Sequence, residues 1–134
     1  MEGMARQFLQ RRGLCLDTDV SIAIIKDATV LSRISNVAPG RKPFISSVTM
    51  FELLLRKTNL EHVEKFIAKT EILNIDCSAA RIASQLEKSL KQKGTPTDWR
   101  DLFIAATAIA NNCELATLNR KDFGNIEGLK LLEF

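Results

Sequence analysis

Apolar positions along this chain come in two kinds of run. Brief, continuous ones lie at residues 14–16 (LCL), 43–46 (PFIS), 71–75 (EILNI), 113–117 (CELAT) and 129–132. Strands buried on both faces of a parallel sheet have this look. Between them the apolar residues recur at helical spacing. Residues 21–26 and 28–35 read as two short helical pieces. Residues 48–57 carry Met50, Leu53 and Leu54 at i, i+3, i+4, and residues 59–69 put Leu60, Val63, Phe66 and Ile67 on one face. Residues 77–92 form a longer helix whose basic end suits the helix dipole, and 101–111 (DLFIAATAIAN) form a strongly apolar one. Short apolar strands alternating with helices predict an α/β fold of three layers, α/β/α, around a central parallel sheet of four to five strands.

Composition narrows this little. A length of 134 residues is one domain's worth. We divide it into an N-terminal extension over 1–12, a loosely docked arm, and one domain over 13–134. The net charge of +3 permits a nucleic-acid partner without requiring one. No apolar run approaches the roughly 18 residues of a membrane span, and the basic start MEGMARQFLQRRG lacks the apolar core of a secretory signal. Cys15, Cys77 and Cys113 are odd in number and widely spaced, which reads as free thiols in a reducing cytoplasm. With His62 the sole histidine and no close cysteine pair, a structural zinc site is excluded. His62 itself reads as a solvated surface residue.

The chemistry gathers where strands end. Functional groups in open parallel sheets lie just past the carboxyl ends of the strands. After the first strand come Asp17 and Asp19. After the second comes SSVTMFELL, with Glu52. The most apolar helix is entered through TDWRD, with Asp98 and Asp101. After the fourth strand comes TLNRKDF, with Thr117, Asn119 and Asp122. Four segments thus carry an acid or amide toward one edge. Clustered carboxylates raise one another's pKa unless a cation compensates, and Mg²⁺ or Mn²⁺ prefers such oxygen donors.

Four stretches carry a resemblance: LCLDTDVSI, ISSVTMFELL, KGTPTDWRDLFIAATAIANN and ELATLNRKDF. In this order and spacing the chain resembles the PIN-domain ribonucleases, and within them the VapC-type toxins of toxin–antitoxin pairs. The resemblance implies a cytoplasmic, Mg²⁺- or Mn²⁺-dependent endoribonuclease acting on single-stranded RNA. It implies metal-site acids at Asp17, Glu52 and Asp101, with the fourth position at Asn119, where many members have Asp. Thr117 matches a position that supports the site by hydrogen bonding, and Asp19 stands where the family usually has Asn. Two partners are implied as well: a second copy of the chain, through its helical parts, and an antitoxin whose tail covers the pocket, often with an arginine among the carboxylates.

Blander roles compete at each position. Asp17 could be only a helix N-cap, and Asp19 a first-turn acid favoured by the dipole. Ser47 or Thr49 is expected to cap the helix bearing Glu52, Thr97 or Asp98 the helix bearing Asp101, and Asp122 the turn DFGN. Arg41, Lys42, Arg100 and Arg120 are the expected phosphate contacts. Trp99 reads equally as core or as a base-stacking residue. Asp-x-Asp after a strand also opens the haloacid dehalogenase-like phosphatases, but no late Asp pair follows. A receiver domain shares an acidic pocket but has no acid where Glu52 stands. The remaining alternative is a PIN domain with a degraded site, kept as an RNA-binding or complex-forming protein, for which Asn119 is the sole support.

Overall fold

A computed structural model describes residues 13–134; the expected arm at 1–12 lies outside them. Four strands, β1 (Leu14–Leu16), β2 (Pro43–Ser46), β3 (Glu71–Leu73) and β4 (Glu114–Ala116), form one sheet in the order β3-β2-β1-β4. Every pairing is parallel, with Leu14 opposite both Pro43 and Glu114. The seven helices among the described residues are α1 (Thr18–Lys26), α2 (Ala28–Val37), α3 (Ser47–Leu54), α4 (Leu60–Lys69), α5 (Cys77–Gln92), α6 (Trp99–Ala110) and α7 (Arg120–Phe123). The expected fifth strand shrinks to a single parallel bridge, Leu115 to Leu131.

Side-chain alternation along β1 splits the core in two. Leu14 and Leu16 point into a cluster with Val20, Ile34, Ile45, Leu53 and Val63, beneath α1 to α4. Cys15 points the other way, among Leu86, Leu102, Ile104, Ala105 and Leu115, beneath α5 and α6. Three layers result, as the sequence predicts. Ala105, Ala106 and Ala108 are fully buried, and these small side chains let α6 pack closely on α5 and the sheet. Gly13 shows the same tightness where the chain enters β1: a Cβ there would stand 2.8 Å from Cys113 Sγ and 2.9 Å from Phe44. Cys15, Cys77 and Cys113 lie outside any disulfide, the first and last buried and Cys77 exposed; burial pushes the Cys15 thiol far up, out of reach of ionisation.

Capping explains where the helices differ from expectation. α1 begins three residues early, at Thr18, because Asp17 caps it: its Oδ1 accepts the Val20 N–H at 2.8 Å. α3 is capped by Ser46, the last residue of β2, through a 3.1 Å bond from the Thr49 N–H; Ser47 and Thr49 lie inside the helix. α6 is capped by Asp98, as expected. No helix of the described residues is long and apolar enough to cross a membrane.

Candidate active site

The carboxyl edge of the sheet collects the acids. Asp17 follows β1 directly and is 3% exposed. Its backbone N–H donates to Ala116 O at 3.1 Å, tying the ends of β1 and β4 together. Its carboxyl is pushed up to about 6, chiefly by burial, against the pull of the Thr117 hydroxyl and the Val20 N–H; Asp19 and Asp101 push it further. Asp101, in the first turn of α6, is also raised to about 6, by burial and then by Asp98, Asp122, Glu52 and Asp19. Four acids from separate positions in the sequence therefore act on one carboxyl.

Glu52 is held by a line of hydroxyls. Thr18 Oγ1 lies 2.7 Å from Glu52 Oε1 and 3.1 Å from Thr49 Oγ1, and Ser46 Oγ lies 3.3 Å from Thr49 Oγ1. A hydroxyl has one proton to give. At the shorter distance Thr18 gives its proton to the carboxylate, which leaves Thr49 donating to Thr18 and Ser46 to Thr49. Ser46 and Thr49 are fully buried, so this row is fixed by packing. It turns Oε1 of Glu52 toward α1 and leaves Oε2 open. In Asp17 the helix cap occupies Oδ1, and the carboxylate also takes the Thr117 hydroxyl.

At the fourth position, Thr117 Oγ1 accepts the Asn119 N–H at 2.9 Å, and Asn119 Nδ2 donates to Asp122 Oδ2 at 2.6 Å. Asp122 does not cap the turn after it. It lies in α7, and its carboxylate faces Asp98 and Asp101 across a cleft of about 250 Å³. Sequence reading passed over Thr18 and Lys121, which lines the same cleft, and took Asp122, one of the acids past the fourth strand, for a turn cap. The signal for Asp122 was its place three residues past Asn119, one helical turn on.

The expected phosphate contacts fare differently. Arg41 pairs with Glu114 at 2.9 Å and donates to Gly13 O at 3.0 Å, and Lys42 pairs with Glu71. Those partners start β4, β1 and β3, so both cations sit at the amino edge of the sheet, opposite the acids. Arg120 turns to Leu132 O and Glu133. Arg100 stays at the acidic edge, its guanidinium 5.4 Å from the Trp99 ring. Trp99 is 51% exposed, with Phe103 edge-on at 6.4 Å, so it is not core.

The donor set suits a hard divalent cation. It is all oxygen, and its acids act on one another, Asp101 raising Asp17 and Glu52 raising Asp101, beside the larger effect of burial. Among the described residues no three acid, histidine or cysteine side chains close tightly enough to hold an ion by themselves. Mg²⁺ asks for less: one or two carboxylates, with water and substrate phosphate completing the shell.

The PIN-domain family profile matches residues 14–129. This chain belongs to the PIN-domain family. It is 32% identical to the tRNA(fMet)-specific endonuclease VapC of Shigella flexneri, over 86% of this chain and 92% of that one. Its fold superposes on a chain of the VapBC2 complex of Rickettsia felis, solved with a DNA fragment from its promoter, with a TM-score of 0.79 and 25% identity, covering 90% of this PIN domain chain and 98% of that one. A chain of VapBC-5, from the VapBC family of toxin–antitoxin systems of Mycobacterium tuberculosis, gives 0.69 and 27%, covering 92% and 98%. The parallel four-stranded sheet with helices on both faces is thus the PIN fold of VapBC complexes.

Proposed function

We propose that this PIN domain is the toxin of a toxin–antitoxin pair, an endoribonuclease that hydrolyses single-stranded RNA with Mg²⁺ or Mn²⁺. The observation that carries the reading is the convergence of Asp17, Glu52 and Asp101 on one sheet edge, close enough that Asp101 raises Asp17 and Glu52 raises Asp101. The nuclease relatives supply the reaction class.

Asp17, Glu52 and Asp101 would hold the cation, with Asn119 and Asp122 completing the edge. When bound, such an ion lowers the pKa of a water and stabilises charge on the phosphate oxygens. The chain's own residues do the rest. Thr18 fixes the rotamer of Glu52. The Thr117 hydroxyl and the Val20 N–H hold Asp17 toward its ionised form. Asn119 is anchored at its N–H and restrains Asp122. No side-chain nucleophile is required, because water attacks the phosphorus in line and the sugar oxygen leaves. Asn119 no longer favours a degraded site: its amide holds a carboxylate at the same edge.

An antitoxin is the partner, and an arginine from it among the carboxylates would compete with the metal. A cleft of about 300 Å³ between α1, α2 and α4, lined by Ile24, Ile25, Leu31 and Phe66 with His62, Lys65 and Lys69 at its rim, suits an apolar, acidic segment of such a partner. Exposed Phe51 and Leu54 on α3, with Leu55 at its C-terminal cap, offer a surface to a second copy. An RNA substrate and cysteines outside any disulfide support a cytoplasmic location.

Growth after induced expression tests the proposal. Wild type should arrest growth, Asp101→Asn should not, and circular dichroism should show both folded. Arrest by a folded Asp101→Asn protein would remove Asp101 from the site.

A further inference from the structure

Helix α6 opens on Trp99, Arg100 and Asp101, followed by the buried Leu102. Successive residues of a helix step round its axis by about 100°. Leu102 takes the side toward the core. The other three divide the rest of the first turn, with Arg100 between Trp99 and Asp101. Asp101 belongs to the carboxylate edge. Trp99 and Arg100 belong neither to that edge's acids nor to the core. Trp99 is half-exposed and yet fixed. Phe103, one turn on and packed against the core, meets the indole edge-on at 6.4 Å, and the Arg100 guanidinium lies 5.4 Å from the ring centre. Arg100 follows Asp98 by two residues and precedes Asp101 by one, but it forms no ion pair among the described residues. A cation–π contact at an exposed site is weak, so the guanidinium can turn to a stronger partner.

Single exposed apolar residues are common on protein surfaces. Trp99 differs in being held rigid, with an unpaired cation beside it and a metal-site acid in the same turn. Single-stranded nucleic acid is held by such pairs, with a base stacked on the ring and a cation on the backbone. An apolar face of a second copy would cover the ring but bury the guanidinium, and a nucleotide serves both. We infer that Trp99 is the stacking platform for one base of the single-stranded RNA beside the scissile bond, and that Arg100 takes the phosphate between that base and the acids. The order of the side chains sets the path of the strand: base on Trp99, phosphate at Arg100, scissile phosphodiester at Asp101. The inference rests on the nuclease reading and adds to it a substrate-positioning pair outside the carboxylate set.

Trp99 is the chain's single tryptophan, so its emission reports on this position alone. The test is a titration of the Asp17→Asn protein, in Mg²⁺, with a single-stranded RNA and with an abasic strand of the same length. The RNA should quench the emission and the abasic strand should not. Anisotropy of a fluorescein-labelled RNA gives affinities. Trp99→Ala should weaken binding about 10-fold, as loss of one stacked base does, and Trp99→Phe should recover most of it. Arg100→Ala should lower the salt slope by about 0.7, one phosphate's worth on a single strand. A merely structural tryptophan would lower the melting temperature on truncation and leave affinity and emission untouched. Emission that RNA leaves unchanged would overturn the platform, and a wild type that cleaves RNA in the same preparation would leave the nuclease standing. Emission that shifts with protein concentration and not with RNA would assign Trp99 to a contact between copies and also overturn it. Quenching by RNA beside a wild type that cleaves none in either metal would keep the platform and overturn the nuclease reading.

Discussion

Asp17 does two jobs with its two oxygens, and they separate by substitution. Asparagine caps a helix about as well as aspartate, whereas alanine loses about 1 kcal/mol. Asp17→Asn should therefore melt at or above the wild-type temperature, since a buried charge is removed, and Asp17→Ala below Asp17→Asn; calorimetry checks the order. The acids also set a pH dependence. Asp17 and Asp101 are raised from an ordinary 3.8 to about 6 in the fold. Their charged forms are disfavoured there, so the metal-free protein should lose stability as pH rises from about 4 through 6. Added Mg²⁺ should restore it at pH 7 and not at pH 4; melts across pH, with Mg²⁺ or EDTA, read this. Thr18→Val should cut cleavage about 10-fold or more, as losses around metal ligands do, and Thr18→Ser should recover most of it. A Thr18→Val enzyme as fast as wild type would dismiss the hydroxyl row. Asp17, Glu52 and Asp101 were legible because each follows a strand or enters a helix in a recognisable motif. Asp122 and Thr18 were not, because their roles depend on which way a carboxylate and a hydroxyl turn.

At the scale of elements, hydrophobic runs gave the strands and the interiors of helices, and side-chain caps gave the ends. Apolar periodicity cannot see that Asp17 starts α1 at Thr18, or that Ser46 ends β2 and caps α3 together. The segment around Leu131 has a strand's composition and contributes one bridge, since strand pairing depends on partners distant in sequence. α6 is the element most sensitive to change. Its fully buried alanines leave no room against α5 and the sheet, so Ala106→Leu should cost about 1–3 kcal/mol by overpacking, read in urea unfolding. A neutral result would mean that α6 sits more loosely than its burial implies.

Over the whole molecule, charge sorts by edge. The carboxyl edge of the sheet holds the acids with Arg100 and Lys121, and the amino edge ties up Arg41 and Lys42 in ion pairs. A net charge of +3 could not reveal this, because the parallel sheet puts residues adjacent in sequence at opposite ends of the fold. Self-association through α3 should likewise be separable from catalysis: Leu55→Glu should shift the protein to monomer in sedimentation, and an unshifted mass would place the contact elsewhere.

The central claim is a metal-dependent ribonuclease built on Asp17. RNA cleavage by wild type and Asp17→Asn, side by side in Mg²⁺, Mn²⁺ and EDTA, tests it most directly. Cleavage by wild type in one or both metals, lost in EDTA and lost in Asp17→Asn, is the predicted result. Cleavage that persists in EDTA, or in the folded Asp17→Asn protein, would contradict it.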